Sequence, residues 1–254
     1  AKDLILHVIG HISVDGATYR AMEFDGAAIS SLNMDERCTI CNMAVEAGGK
    51  SGVIAADDVT LEYVRSRTDK PFDMVASDGD AEYCAHYTFD TGKIEPTVAR
   101  PHSPGNRATA RDLSGEALDR AYIGSCTGGK TTDFIAAAKI LAGRITAIDT
   151  YIVPATTEVD MDLDSCKLGD KTLREIFLSA GCKIGPAGCA ACLGGPSDTF
   201  GRANEPISVI STTNRNFPGR MGHKEAGVYL ASPLTAAASA ITGHITDPRD
   251  YLQA

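Results

Sequence analysis

Hydrophobic and polar positions change over in short blocks along this chain, with apolar runs of strand length set between helical stretches. The block Leu4–Ile9 fits either a strand or a buried helix, which periodicity alone cannot separate over so short a run. Asn42–Gly48 reads as a helical stretch that stops at a glycine pair, and Gly52–Ala55 as a short strand. Asp57 and Asp58 supply N-cap chemistry for a helix reaching about Arg67, and Phe72–Ser77 reads as another strand. Residues 84–118 then lose periodicity and collect Pro96, Pro101, Pro104, Gly105, Asn106 and Gly115, which marks a connector. Beyond it the pattern predicts strands at Arg120–Ile123, Ala147–Val153 and Ile207–Ser211. Helices are predicted at Thr132–Leu141, Lys171–Ala180 and Pro233–Thr242, the last closed by Gly243. Strand, loop and helix in that alternation predict an α/β fold with mainly parallel sheets flanked by helices.

Composition narrows the function classes. The chain has 254 residues, 43 % hydrophobic and 22 % charged, which suits a folded protein of one large or two modest α/β domains. Its formal charge of −9 lacks the electrostatic footprint of a general nucleic-acid binder. An anion can still be held by a few placed Arg or Lys side chains and backbone N–H groups. The longest apolar helical runs, Ile135–Leu141 and Leu234–Ile241, fall far short of the roughly 18 residues a membrane helix needs. The opening Ala1-Lys-Asp-Leu-Ile-Leu-His7 has no start Met and no signal or transit character, as expected of a chain entered mid-stream or already processed.

Eight cysteines are present: 38, 41, 84, 126, 166, 182, 189 and 192. The even count invites a disulfide reading, but a chain this long can bury a core without staples. Free or metal-bound thiols in a reducing compartment fit better. Two segments concentrate the chemistry. Ile123-Gly-Ser-Cys126-Thr-Gly-Gly129 lies where a strand runs into a glycine loop before a helix, the carboxyl end at which open α/β sheets bind ligands. Gly188-Cys189-Ala-Ala-Cys192-Leu-Gly-Gly195 has the spacing for two thiolates to grip one metal centre, with glycines that let the backbone approach it. Spacing leaves four readings open: a redox pair, a structural zinc, an electron-transfer iron–sulfur cubane with four Cys, and a three-Cys cluster with one iron free to act as a Lewis acid.

Those motifs, in register with others, resemble the aconitase superfamily. The likeness rests on Gly124-Ser-Cys126-Thr127, on Cys189 and Cys192, on Thr213-Asn-Arg-Asn-Phe-Pro-Gly-Arg220, and on Cys41-Asn-Met-Ala-Val-Glu-Ala-Gly48. Within the superfamily the chain is most similar to the large subunits of isopropylmalate dehydratases of the type seen in plants and some prokaryotes. Gly16–Tyr19, Arg100–Pro104, Ser125–Lys130 and Met221–Glu225 carry that finer likeness, which runs from residue 1 to residue 254. Gly128 stands where many relatives have Asn.

The resemblance implies a 4Fe–4S cluster ligated by Cys126, Cys189 and Cys192, whose fourth iron binds the substrate hydroxyl and a carboxylate. It implies that Asn42 and Asn214 hydrogen-bond near the cluster, and that Glu46 handles the iron-bound water or hydroxyl. Arg215 and Arg220 are expected to bind substrate carboxylates, for which a guanidinium fork is suited. Cys38, Cys41, Cys84, Cys166 and Cys182 are read as buried or incidental thiols. His102 is read as structural or interdomain; His223 fits a loop role and a place lining the site equally.

The implied activity is a hydro-lyase that interconverts 2-isopropylmalate and 3-isopropylmalate by dehydration and rehydration, a step of leucine biosynthesis. Homoaconitase, citraconate-type and dimethylmalate dehydratases remain alternatives, as does a non-catalytic cluster-bearing subunit. Two aconitase-like α/β domains are expected, 1–84 and 119–254, joined through 85–118 and matching the superfamily's second and third domains. The superfamily's first domain, with catalytic His and Asp, and its last, with a serine base, have no counterpart here. A small subunit is therefore the expected partner, beside a dicarboxylate substrate, with no nucleic acid and no membrane. The expected compartment is the cytoplasm, or the plastid stroma for a plant or algal chain.

Overall fold

A computed structural model describes residues 1–252. Its first part runs α1 (Lys2–Ile12), β1 (Ala21–Glu23), α2 (Ala27–Ser30), α3 (Met34–Met43), β2 (Ser51–Val53) and α4 (Asp58–Arg65). Leu4–Ile9 is thus helix. α3 starts at a capping box: Asn33 Oδ1 accepts from Glu36 N–H at 3.0 Å and Glu36 Oε2 from Asn33 N–H at 3.1 Å. It ends in a single helical turn, Ala44–Ala47, stopped by Gly48 in the left-handed region. β1 and β2 form a small parallel pair. Asp57 caps α4 and is held in turn by Arg37 of α3, whose Nη1 and Nη2 donate to its two oxygens at 2.6 and 2.7 Å.

The second part is built on one sheet. Its strands are β3 (Thr97–Ala99), β4 (Arg107–Thr109), β5 (Arg120–Gly124), β6 (Asp149–Val153), β9 (Lys183–Ile184), β10 (Ser208–Ser211) and β11 (Gly227–Leu230). A separate small hairpin, β7 (Lys167–Leu168) with β8 (Lys171–Thr172), lies between β6 and β9 in the chain. The helices are α5 (Thr131–Leu141), α6 (Thr157–Ser165), α7 (Leu173–Ser179) and α8 (Pro233–Thr242). The sheet order is β4-β3-β11-β10-β5-β6-β9. The five strands from β11 to β9 are parallel, and β3 and β4 extend one edge antiparallel. The α/β class with a mainly parallel sheet is therefore the observed one.

Two expectations differ from the structure. Phe72–Ser77 is exposed coil, because no neighbouring strand offers it a ladder and a lone strand has nothing to pair with. Part of the segment read as a featureless connector, 84–118, instead supplies β3 and β4. Strands of three residues between prolines are too short to leave a period in the sequence.

Side chains alternate across the sheet as the pleat requires. Ile123, Ile152 and Ile210 face a core made with α5, α7 and α8, where Phe134 and Phe177 meet edge to face at 5.8 Å. Tyr122, Val153 and Val209 face a second core made with α1 and α3. Ala236, Ala237, Ala238 and Ala240 are fully buried, so α8 packs closely on the sheet and on α5. The sheet thus has helices on both faces, which leaves the ends of its strands for a site. No helix among the described residues is long and apolar enough to cross a membrane.

Candidate functional site

The chain leaves β5 towards β6 and β9 on one side, while β10 and β11 lie on the other. The sheet order reverses between β5 and β10, so the loops after these two strands diverge and open a crevice at their carboxyl ends. Those loops are Ser125–Lys130 and Thr212–Arg220. Thr212 joins them below the crevice. Its N–H donates to Tyr122 O at 3.0 Å, and its Oγ1 accepts from Gly124 N–H and donates to Gly124 O, both at 2.8 Å. Ser125 is buried with φ 73, a left-handed conformation that L residues seldom adopt, immediately before Cys126. Such strain persists only where the surroundings over-determine it.

The crevice gathers every candidate residue. Cys126 is exposed at its mouth, Cys189 is half-buried and Cys192 is buried. The three thiols lie close enough to one another for each to act on the others' ionisation. Cys189, joined by burial, pushes the Cys126 thiol far above its ordinary range. The same neighbour stabilises the thiolate of Cys192 and pulls it down to about 7, against the effect of burial. Cys189 is itself raised: Cys126 lowers it, but Cys192 and burial outweigh that. Ala191–Leu193, which carries Cys192, forms one helical turn closed by Gly194 in the left-handed region. Arg202 fixes that turn by donating through Nε to Gly194 O at 2.7 Å and Gly195 O at 3.0 Å.

Around the thiols lie the polar residues. Asn42 Nδ2 points at Cys126 Sγ, 3.6 Å away. Cys192 Sγ–H donates to Asn214 Oδ1 at 3.1 Å. Asn214 Nδ2 in turn donates to Glu46 Oε1 at 2.7 Å. Glu46 is buried and also accepts from Arg215 Nε at 2.8 Å and Nη2 at 3.1 Å. The structure therefore gives Arg215 a partner within the chain. Arg220 differs, because its Nε is buried with no partner among the described residues and its charge bears on Cys192. Cys182 lies in the other core, among α7 side chains and away from the crevice, where burial raises its thiol to about 12.

Several residues that hold the site escape the motif reading. Lys130 Nζ donates to Thr39 Oγ1 at 2.7 Å and to Cys126 O at 3.1 Å, and Thr132 Oγ1 donates to Asp35 Oδ2 at 2.9 Å. These bonds dock α3 on the start of α5, and so bring Asn42 and Glu46 to the cysteines. Lys2, at the start of α1, is buried beneath both loops. The Asn-x-x-Glu signal at Asn33 was available to locate α3; Lys130 closes the Ser125–Lys130 motif without its bond to Thr39 being legible there, and nothing local marks Lys2.

No group of three or more His, Cys, Asp or Glu among the described residues is placed to hold a single metal ion. A cluster makes a different demand, since each thiolate ligates its own iron. The surroundings suit such a group. Buried Tyr122 has a hydroxyl without a partner, on which the charges of Cys189 and Cys192 both bear, and Arg220 Nε is a second buried donor with nothing to donate to. Donors orphaned beside three thiols fit an acceptor-rich anionic group among them.

The aconitase family model, described as aconitate hydratase, matches residues 1–243. The chain is 60 % identical to the chloroplastic 3-isopropylmalate dehydratase large subunit of Arabidopsis thaliana, with all of the chain and 51 % of that protein aligned. It is 46 % identical to the 3-isopropylmalate dehydratase large subunit of Hydrogenobaculum sp., over 98 % of the chain and 57 % of that protein. It is 45 % identical to large subunit 1 of the same enzyme of Methanopyrus kandleri, over 99 % of the chain and 59 % of that protein. The chain spans about half the length of the curated relatives it matches.

Proposed function

The chain belongs to the aconitase family, and from that premise we propose that it is the cluster-bearing part of a hydro-lyase that interconverts 2-isopropylmalate and 3-isopropylmalate, as in leucine biosynthesis. The observation that carries this reading is the meeting of Cys126, Cys189 and Cys192 with Asn42, Glu46, Asn214, Arg215 and Arg220 in one crevice. Cys126, Cys189 and Cys192 would hold a 4Fe–4S cluster. When bound, it supplies a Lewis-acidic iron that polarises the carbon–oxygen bond to be broken.

The chain's own residues divide the remaining work. Asn42 and Asn214 stand against two of the ligand sulfurs and orient them. Glu46 would give a proton to the departing hydroxyl and take it back from water on rehydration, and Arg215 fixes the angle of its carboxylate. Arg220 offers a substrate carboxylate a charge-assisted bond, and Arg215 keeps Nη1 for the same purpose. Residues 1–84 and 119–254 are proposed as the second and third domains of the family, with 85–118 running between them. The naming of the relatives as large subunits supports a small-subunit partner, and eight free thiols support a reducing compartment, cytoplasm or plastid stroma.

The test is turnover. Supplied with a small subunit and the part of the large subunit that this chain does not span, the loaded chain will interconvert the two isopropylmalates. It will be inactive by itself. Turnover of another 2-hydroxy dicarboxylate in place of isopropylmalate would overturn the substrate. A loaded, assembled chain that turns over none would overturn the enzymatic reading in favour of a non-catalytic cluster-bearing subunit.

A further inference from the structure

Lys2 breaks three local rules at once. Its side chain is buried, at 3 % exposure, where lysines are almost never found unless paired. It has no salt bridge among the described residues. It also opens α1, where the helix dipole disfavours a cation. An apolar side chain would fill the same space at lower cost, so the ammonium is there for what it touches.

Its contacts are specific. Nζ donates to Thr127 Oγ1 at 2.9 Å, to Thr212 O at 2.8 Å and to Thr213 O at 2.7 Å. Three acceptors match the three N–H donors of an ammonium. Thr127 follows Cys126 in the loop after β5. Thr212 and Thr213 precede Asn214 and Arg215 in the loop after β10. One side chain from a third element therefore ties together the two loops whose divergence opens the crevice. Thr127 Oγ1 closes the triangle by donating to Thr212 O at 3.1 Å. Asp3, the adjacent carboxylate, is turned away and accepts from Thr97 N–H at 2.8 Å. Burial pulls the Lys2 ammonium down to about 7; Asp133 and the negative charge of the Cys192 and Cys126 thiolates act the other way and favour its charged form, while Lys130 opposes it.

We propose that Lys2 is a positioning residue of the cluster site: its ammonium clamps the loop after β5 to the loop after β10 and sets a buried positive charge beside the ligand thiols. The clamp fixes Cys126 relative to Asn214 and Arg215. The charge offsets part of the negative charge that three thiolates and their cluster bring to the crevice. The clamp stands on the hydrogen bonds alone; the electrostatic role rests on the cluster reading above.

The experiment uses the 254-residue chain with Lys2→Met, which removes both donors and charge, and Lys2→Gln, which removes the charge and one donor and keeps two amide donors. In the metal-free state, amide hydrogen exchange is followed at 125–129 and 212–216. Lys2→Met will lose about tenfold or more of the protection in both loops, with the α5 and α8 amides unchanged. Lys2→Gln, if Lys2→Met does not fold, will lose protection in the same two loops by a smaller factor. After anaerobic loading, both variants will release iron faster than wild type, and the cluster's reduction potential will move to more negative values, since an added electron is no longer favoured by the ammonium. Unchanged loop protection in the folded variants overturns the clamp. Unchanged iron loss and potential in loaded variants overturn the electrostatic role. A wild-type chain that takes up no cluster overturns the cluster reading instead, and the exchange measurement still decides the clamp.

Discussion

Glu46 and Arg215 form a buried two-point ion pair, Nε to Oε2 at 2.8 Å and Nη2 to Oε1 at 3.1 Å, although they come from opposite ends of the chain. Glu46 sits in the turn after α3 and Arg215 in the loop after β10, so the pair joins the two parts of the molecule at the crevice. Removing one partner strands the other. Glu46→Ala will destabilise the chain by at most about 3–5 kcal/mol, with the partial exposure of Arg215 drawing the value to the lower end. A urea midpoint lowered at unchanged slope checks this.

Arg220, unlike Arg215, has no carboxylate partner among the described residues, so its guanidinium is open to an anion. Arg220→Ala will weaken substrate binding about ten- to a hundredfold in the complete assembly, the worth of one lost charge-assisted hydrogen bond. Arg220→Lys will recover part, since it restores charge without the fork. Steady-state kinetics on samples of equal iron content decide it; wild-type kinetics in both variants would make Arg220 structural.

Gly128 has no room for a side chain. A Cβ there would overlap the Cβ and Oγ1 of Thr212 and come within 2.8 Å of Thr212 O. Thr212 cannot yield, because its hydroxyl bridges Gly124 N–H and O. Gly128→Ala will therefore shift the loop that carries Cys126. Reduced iron uptake will accompany a loss of roughly 1–3 kcal/mol in urea unfolding.

Asp57 links α3 to α4 through Arg37, and the bond from that guanidinium holds its carboxyl down to about 2. In the unfolded chain it titrates near the ordinary 3.8, so the unfolded state binds more protons between these values. The stabilisation is complete above about pH 4 and disappears as pH falls through about 2. Asp57 is partly exposed, which reduces its size. Urea midpoints taken from about pH 5 down to about pH 2.5 will fall more steeply for wild type than for Asp57→Asn.

The parts of this fold that could be read in the sequence carry local signals. β5, β10, the glycine loop between β5 and α5, and α8 with Ser232 before it and Gly243 after it follow from runs and caps confined to a few residues. The cysteines were legible as motifs, and the structure keeps Cys182 in the core beneath α7, apart from the other three. What escaped depends on partners distant in sequence. β11 is a strand because β10 is there to pair with it, and β3 and β4 because β11 then offers them an edge. Phe72–Ser77 has strand composition and no partner. Lys2 reads as an unremarkable polar residue before an apolar block, and its role exists only once Thr127, Thr212 and Thr213 fold over it.

If Cys126, Cys189 and Cys192 hold a cluster with one iron left open, iron and acid-labile sulfide per chain after anaerobic loading will each come to about four, with about one iron released readily in air. A tightly bound zinc without sulfide would contradict it.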